Sequence, residues 1–228
     1  MLSVKEVDAK LARLRTRSSA RDQRMRDVLS VRQGDISKVY PAMFSEEYPK
    51  PLVANFIDVA ARDLAEAMAP LPSFNCSATN MVSDAARKAA DTRTRIANFY
   101  VTNSDLQLQM YTAADWYNTY GMCIGMVEMD YDDNNPRIRM LNPFGTYPEL
   151  DRYGRVLSVL QVIVTDAETL AAQYPEYYDI ILGKNQYALS SPYVSMVKYH
   201  DKDQDLLYIP ERKNLVLART PNILGKAM

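Results

Sequence analysis

Aspartates recur in this chain at a spacing that suits oxygen-seeking cations. Asp130, Asp132 and Asn134 open one D-x-[DN]-x-[DN] run, and Asp201, Asp203 and Asp205 open another. A calcium loop also needs glycine at its sixth position, for the sharp turn, and glutamate at its twelfth. Asn135 and Leu206 hold the sixth positions here, Leu141 and Arg212 the twelfth. Both runs therefore read as acidic hairpin tips. A two-metal nuclease centre would gather Asp130, Asp132, Asp133, Glu149 and Asp151 near strand ends. No lysine stands at nuclease spacing, and these carboxylates crowd into turns. The sequence has no nucleophile elbow, phosphate-binding loop, GxGxxG or HExxH motif. His200, the single histidine, reads as a structural residue at a strand end. With Cys76 and Cys123 the only cysteines, a Cys/His zinc set cannot be assembled, and free buried thiols are expected. Trp116 with Tyr111, Tyr117 and Tyr120 reads as core packing, since two of the tyrosines lie on an apolar stripe. No catalytic, cofactor-binding or metal-ligating residue is assigned, and the expectation is a protein that is not an enzyme.

Positive charge is the stronger signal. Residues 1–32 hold nine Lys/Arg against four Asp/Glu, a net of +5, while the whole chain has net charge −1. A basic arm on an acidic body fits an anionic partner or an acidic neighbouring subunit. Lys10, Arg13, Arg17, Arg21 and Arg24 are the candidate contacts. One reading is DNA-phosphate contact without sequence specificity. The other is a solvated helix face that packs on acidic neighbours. The lack of interleaved aromatics to stack on bases favours the second.

The elements that must carry these residues follow from periodicity. Residues 3–30 form one helical stripe through Val4, Val7, Leu11, Leu14, Met25 and Val28. Residues 33–51 are a connector holding Gly34, Pro41, Pro49 and Pro51. A helix at 51–69 is expected to bury Val53, Phe56, Ile57, Ala60, Leu64, Ala67 and Met68. A short strand is read at 73–79. The longest stripe runs from Ser83 to Tyr120 through Ala85, Ala89, Ile96, Phe99, Leu106, Met110, Ala113, Tyr117 and Tyr120. Ser104 with Gln107 reads as a capping box that divides it into nearly collinear helices at about 83–102 and 104–120. Gly121 ends it. On this reading Ile96→Asp or Met110→Asp would abolish folding. Strands then dominate: 122–130 with 136–141, 155–165, 192–200 with 205–210, and 214–219. Asp166 is placed to cap a short helix at 167–174. Helices followed by antiparallel strands define an α+β fold. No apolar run approaches the roughly 20 residues of a membrane helix, and residues 1–10 lack a signal-peptide core. Residues 219–228 read like a chain passing onward into a longer protein.

Several phrases resemble one known family. These are PLVANFIDVAARDLAEAMAP at 51–70, LPSFNC at 71–76, ARKAADTRTRIANFY at 86–100, AADWYNTYG at 113–121 and LNPFGTYPELDR at 141–152. They look like portal proteins of tailed bacteriophages, and most of all like portals of phages that infect mycobacteria and related actinobacteria. The resemblance implies a structural ring component of the virion, a dodecamer at one capsid vertex assembled in the host cytoplasm. DNA would be packaged and ejected through its channel. The implied partners are copies of the chain itself, the major capsid protein, the packaging terminase, the head–tail connector and double-stranded DNA. No cofactor and no membrane is implied. Residues 1–32 would be a basic N-terminal helix and 33–228 the wing region, with stem, clip and crown expected downstream.

Overall fold

The computed structural model describes residues 1–41, 56–71, 73–130, 133, 135–183 and 192–222. Along them run helices α1 (Val4–Arg32), α2 (Ile36–Val39), α3 (Phe56–Met68), α4 (Asp84–Asn103) and α5 (Leu106–Tyr120). Strands β1 (Ile124–Asp130), β2 (Asn135–Leu141), β3 (Thr146–Leu150) and β4 (Val156–Asp166) follow, then α6 (Ala167–Gln173) and α7 (Tyr178–Leu182). Strands β5 (Tyr193–Asp201), β6 (Gln204–Ile209) and β7 (Leu215–Pro221) complete the order. The class is α+β. The chain divides into two compact units, Met1–Arg21 with Phe144–Met228, and Asp22–Pro143. Helix α1 contributes residues to both.

In the first unit, β3 to β7 form one antiparallel sheet in sequence order. Alternation along each strand sorts its side chains onto two faces. Leu160, Val197, Tyr199, Leu206 and Tyr208 cluster with Val7, Leu11 and Leu14 of α1. Val194, Ile209 and Leu217 cluster with Ala167, Leu170 and Ala171 of α6 and Ile181 of α7. Both faces are thus covered, at about 1.5–3 kcal/mol for each large side chain removed from water. Ser3 and Glu6 form a reciprocal capping box at the start of α1: Ser3 N–H donates to Glu6 Oε2 at 2.7 Å, and Glu6 N–H donates to Ser3 Oγ at 3.4 Å. Asp166 caps α6 as expected, accepting from Thr169 N–H at 2.8 Å. Strand β3 is an addition to the sequence reading. Its Pro148 argues against a strand, but β3 lies at the sheet edge, where a missing donor is tolerated. Gly145 precedes it with φ +76°, and a Cβ there would meet the Val162 carbonyl oxygen at 2.8 Å. Only glycine fits that approach.

The second unit holds α2 to α5 and the β1–β2 hairpin. The hairpin and the Gly121 stop match expectation; Gly121 sits at φ +69° and its N–H bonds Tyr117 O at 2.8 Å. The buried faces of the helices do not match. Helix α3 turns Ala65 inward with Ala61 half-buried, and packs on α5. Its expected core residues Phe56, Ile57, Leu64 and Met68 point outward, Phe56 with 76% exposure. Val53 lies outside the described residues. Helix α4 buries Ala90 and Val101, whereas Ile96 and Phe99 of the expected stripe are 47% and 55% exposed. Leu106 and Ala113 of that stripe are buried on α5, but Tyr117 is half exposed. The physical reason is similar in both helices. Small side chains, Ala61 and Ala65 on α3 and Ala90 on α4 beside Val101, let the helices pack closely, and the bulkier stripe is left over. Residues 73–78 form no strand; Cys76 N–H instead donates to Thr94 Oγ1 of α4 at 2.9 Å. The cysteines are free, with Cys76 half-buried and Cys123 exposed rather than buried.

The break at residue 104 is real, but its chemistry differs from a capping box. Asp105 adopts φ +48°, a left-handed turn between α4 and α5. The Ser104 hydroxyl donates to Tyr100 O at 2.6 Å and accepts from Ile138 N–H at 2.9 Å. Gln109 rather than Gln107 completes the joint. Its Nε2 donates to Ile138 O at 3.0 Å and its Oε1 accepts from Met140 N–H at 2.8 Å. Its side-chain amide thereby extends the ladder of β2.

Candidate interaction surfaces

Five cations of α1 were the sequence candidates, and the fold gives them different tasks. Lys10 faces the sheet of its own unit. Its Nζ lies 2.6 Å from Glu149 and 5.3 Å from the centre of the Tyr199 ring. Arg13 also reaches Glu149, at 3.1 Å, with its side chain mostly in solvent. Arg21 donates to the Thr146 carbonyl at 3.2 Å and lies over the Tyr147 ring at 5.3 Å. Arg17 and Arg24 are exposed and form no ion pair among the described residues. Lys10 and Arg21 therefore attach α1 to its own sheet, and Arg17 and Arg24 are the outward cations.

Glu149 also accepts from the Ser158 hydroxyl at 3.1 Å. Partial burial pushes its pKa up, but the Lys10 ammonium, the Ser158 hydroxyl and Arg13 outweigh that, so it lies below its ordinary 4.5. A lowered carboxylate pKa adds stability above the unfolded value, lost as pH falls through the folded one. Between pH ~5 and ~3 the wild type should therefore lose more stability than Glu149→Gln. Melting curves of both proteins across that range check this; parallel pH profiles would refute it.

The acids considered for catalysis are engaged in the frame. Asp130 pairs with Arg137 at 2.6 Å, and Asp133 pairs with the same guanidinium. Asp132 lies outside the described residues. Asp201 accepts from Tyr199 OH at 2.6 Å and from the N–H groups of Asp203 and Gln204 at 2.7 and 2.8 Å. That network ties the β5–β6 turn; burial, and after it the hydrogen bond to Asp201, raises the pKa of Tyr199. His200 is buried and its Nδ1 pairs with Asp205, a partner the sequence did not disclose. Among the described residues no group of three or more His, Cys, Asp or Glu is placed to hold a metal. No described helix is long and apolar enough to cross a membrane.

A second charged group escaped the sequence reading because Arg32 was counted with the basic arm. Within the second unit, Arg32 lies between two acids of two other helices. Its Nη2 is 2.7 Å from Asp58 of α3, and its Nη1 is 2.7 Å from Asp115 of α5. It also donates to the Thr119 hydroxyl. Burial opposes the Arg32 charge, but the two carboxylates more than restore it. In return the Arg32 hydrogen bond holds Asp58 below the usual carboxylate range. One guanidinium, with its planar set of donors, joins three helices.

The outward faces of α3 and α4 leave large apolar side chains in solvent. Phe56, Ile57, Val59 and Leu64 on α3, and Ile96 and Phe99 on α4, are all about half exposed or more. An open, mainly apolar groove of about 500 Å³ lies nearby, between Leu71, Val101, Leu106 and Tyr111. Soluble monomers rarely leave so many large apolar side chains uncovered, and such patches mark contact surfaces. No known protein-family profile and no curated protein matches the chain.

Proposed function

We propose that this chain is the wing-side part of a phage portal protein, a ring-forming structural component of the capsid vertex through which DNA is packaged and ejected. One structural observation carries the reading: α3 packs inward through Ala65 and α4 through Ala90 and Val101, while Phe56, Ile57, Leu64, Ile96 and Phe99 are turned outward. That arrangement wastes burial in a monomer and uses it in an assembly. The sequence phrases supply the kind of assembly. Terminase, connector, capsid protein and non-specific DNA are the partners that this reading brings with it. Arg17 and Arg24 remain outward on α1 for an anionic neighbour, whether DNA or an acidic subunit.

Electron microscopy and native mass spectrometry of the 228-residue chain test it. Closed rings of about twelve copies are expected from the resemblance, since identical head-to-tail contacts close when the rotation permits. A chain that stays monomeric at every concentration refutes the reading. A monomer that instead binds duplex DNA, with affinity falling steeply in salt and lost on replacing Arg13, Arg17 and Arg24, would make it a DNA-binding module.

A further inference from the structure

The outward faces of α3 and α4 carry opposite charges beside their apolar stripes. At 100° per residue, Phe56, Ala60, Leu64 and Ala67 fall on one side of α3, and Asp63 and Glu66 border them. On α4, Ile96 and Phe99 share the outward side; Lys88 and Arg95 border it on one edge, with Asp91 beside them, and Arg93 on the other, so the edges stay net basic, three bases against one acid. All six charged residues are exposed, and none forms an ion pair among the described residues. Within one chain, α3 packs on α5 rather than on this face of α4.

We infer that the outward face of α3 in one copy docks on the outward face of α4 in the next. The inference rests on the ring reading and names its contact. An acid-edged apolar stripe and a base-edged one are complementary to each other but not to themselves. Contact between two α3 faces would set acids against acids, and between two α4 faces bases against bases. The pairing is therefore heterologous, the kind that repeats from copy to copy and closes into a ring. The apolar stripes supply the attraction, and the flanking charges fix which helix meets which.

Two variants test this. D63K/E66K makes both faces basic, and K88E/R95E makes both acidic. Each alone should bind its own copies at least roughly tenfold more weakly than wild type, because every contact now opposes like charges. An equimolar mixture should assemble again, with the two variants alternating, and so should one chain carrying all four changes. The substituted side chains are exposed, so each variant should melt within a few degrees of wild type. Mass photometry with one variant carrying a mass tag reads the alternation. Rings that form undiminished from either variant alone, or a mixture that stays dispersed, would overturn the contact while leaving the ring reading intact. Charge-dependent assembly into open chains or dimers would keep the contact and overturn the ring. A wild-type chain that never self-associates overturns both.

Discussion

Leu160→Asp should leave no folded sheet. Leu160 is fully buried in β4, between its neighbours β3 and β5, and packs with Leu11, Tyr199 and Tyr208 on the face that α1 covers. An aspartate there would be a carboxylate without a partner in an apolar cluster. The loss of the leucine contacts and the burial of charge together cost more than about 5 kcal/mol, comparable to the whole stability of an ordinary domain. Far-ultraviolet circular dichroism should show strand signal lost at 25 °C, with the chain protease-sensitive over residues 144–222. A cooperative melt near that of the wild type would refute the packing. Ile96→Asp is the control that separates this account from the periodicity reading. That reading placed Ile96 in the core, yet it is 47% exposed. The variant should fold normally and fail only in assembly.

Arg32→Met should be the most damaging change in the second unit. Methionine keeps much of the length and apolar stem but leaves Asp58 and Asp115 facing each other without the cation between them. Removing one member of a partly buried network costs more than the network contributes, because the remaining charges stay behind. The melting temperature should fall by on the order of 5 °C or more. Adding Asp58→Asn and Asp115→Asn to Arg32→Met should recover much of the loss, since no lone charge then remains. Recovery distinguishes charge imbalance from lost packing; a triple variant as unstable as the single one would show that packing dominates.

Much of the frame was legible in the sequence because local chemistry marks it. Apolar spacing gave α1, β-branched density gave β4, and Asp166 marked α6. Gly121 marked the end of α5, where a left-handed residue was required. The faces of α3 and α4 were not legible for a physical reason. An apolar stripe shows that something covers it, but not whether the cover is the same chain or another. The alanines that do the internal packing give no contrast against solvent-facing alanines elsewhere. Glu149 and Lys10 are far apart in sequence, and no local pattern announces that a sheet edge will bring them together. The Ser104–Gln109 joint was missed because capping residues were sought for the helix, while these side chains serve a strand.

That joint has a further consequence where copies crowd together. Strand β2 has β1 on one side only, and a bare outer edge offers any passing strand a row of hydrogen-bonding groups. Ser104 and Gln109 occupy that row at Ile138 and Met140. Left bare, that edge would be a template for pairing with the hairpin of any second copy it met. Two polar side chains thus close the outer edge of β2 to a foreign strand at these two residues.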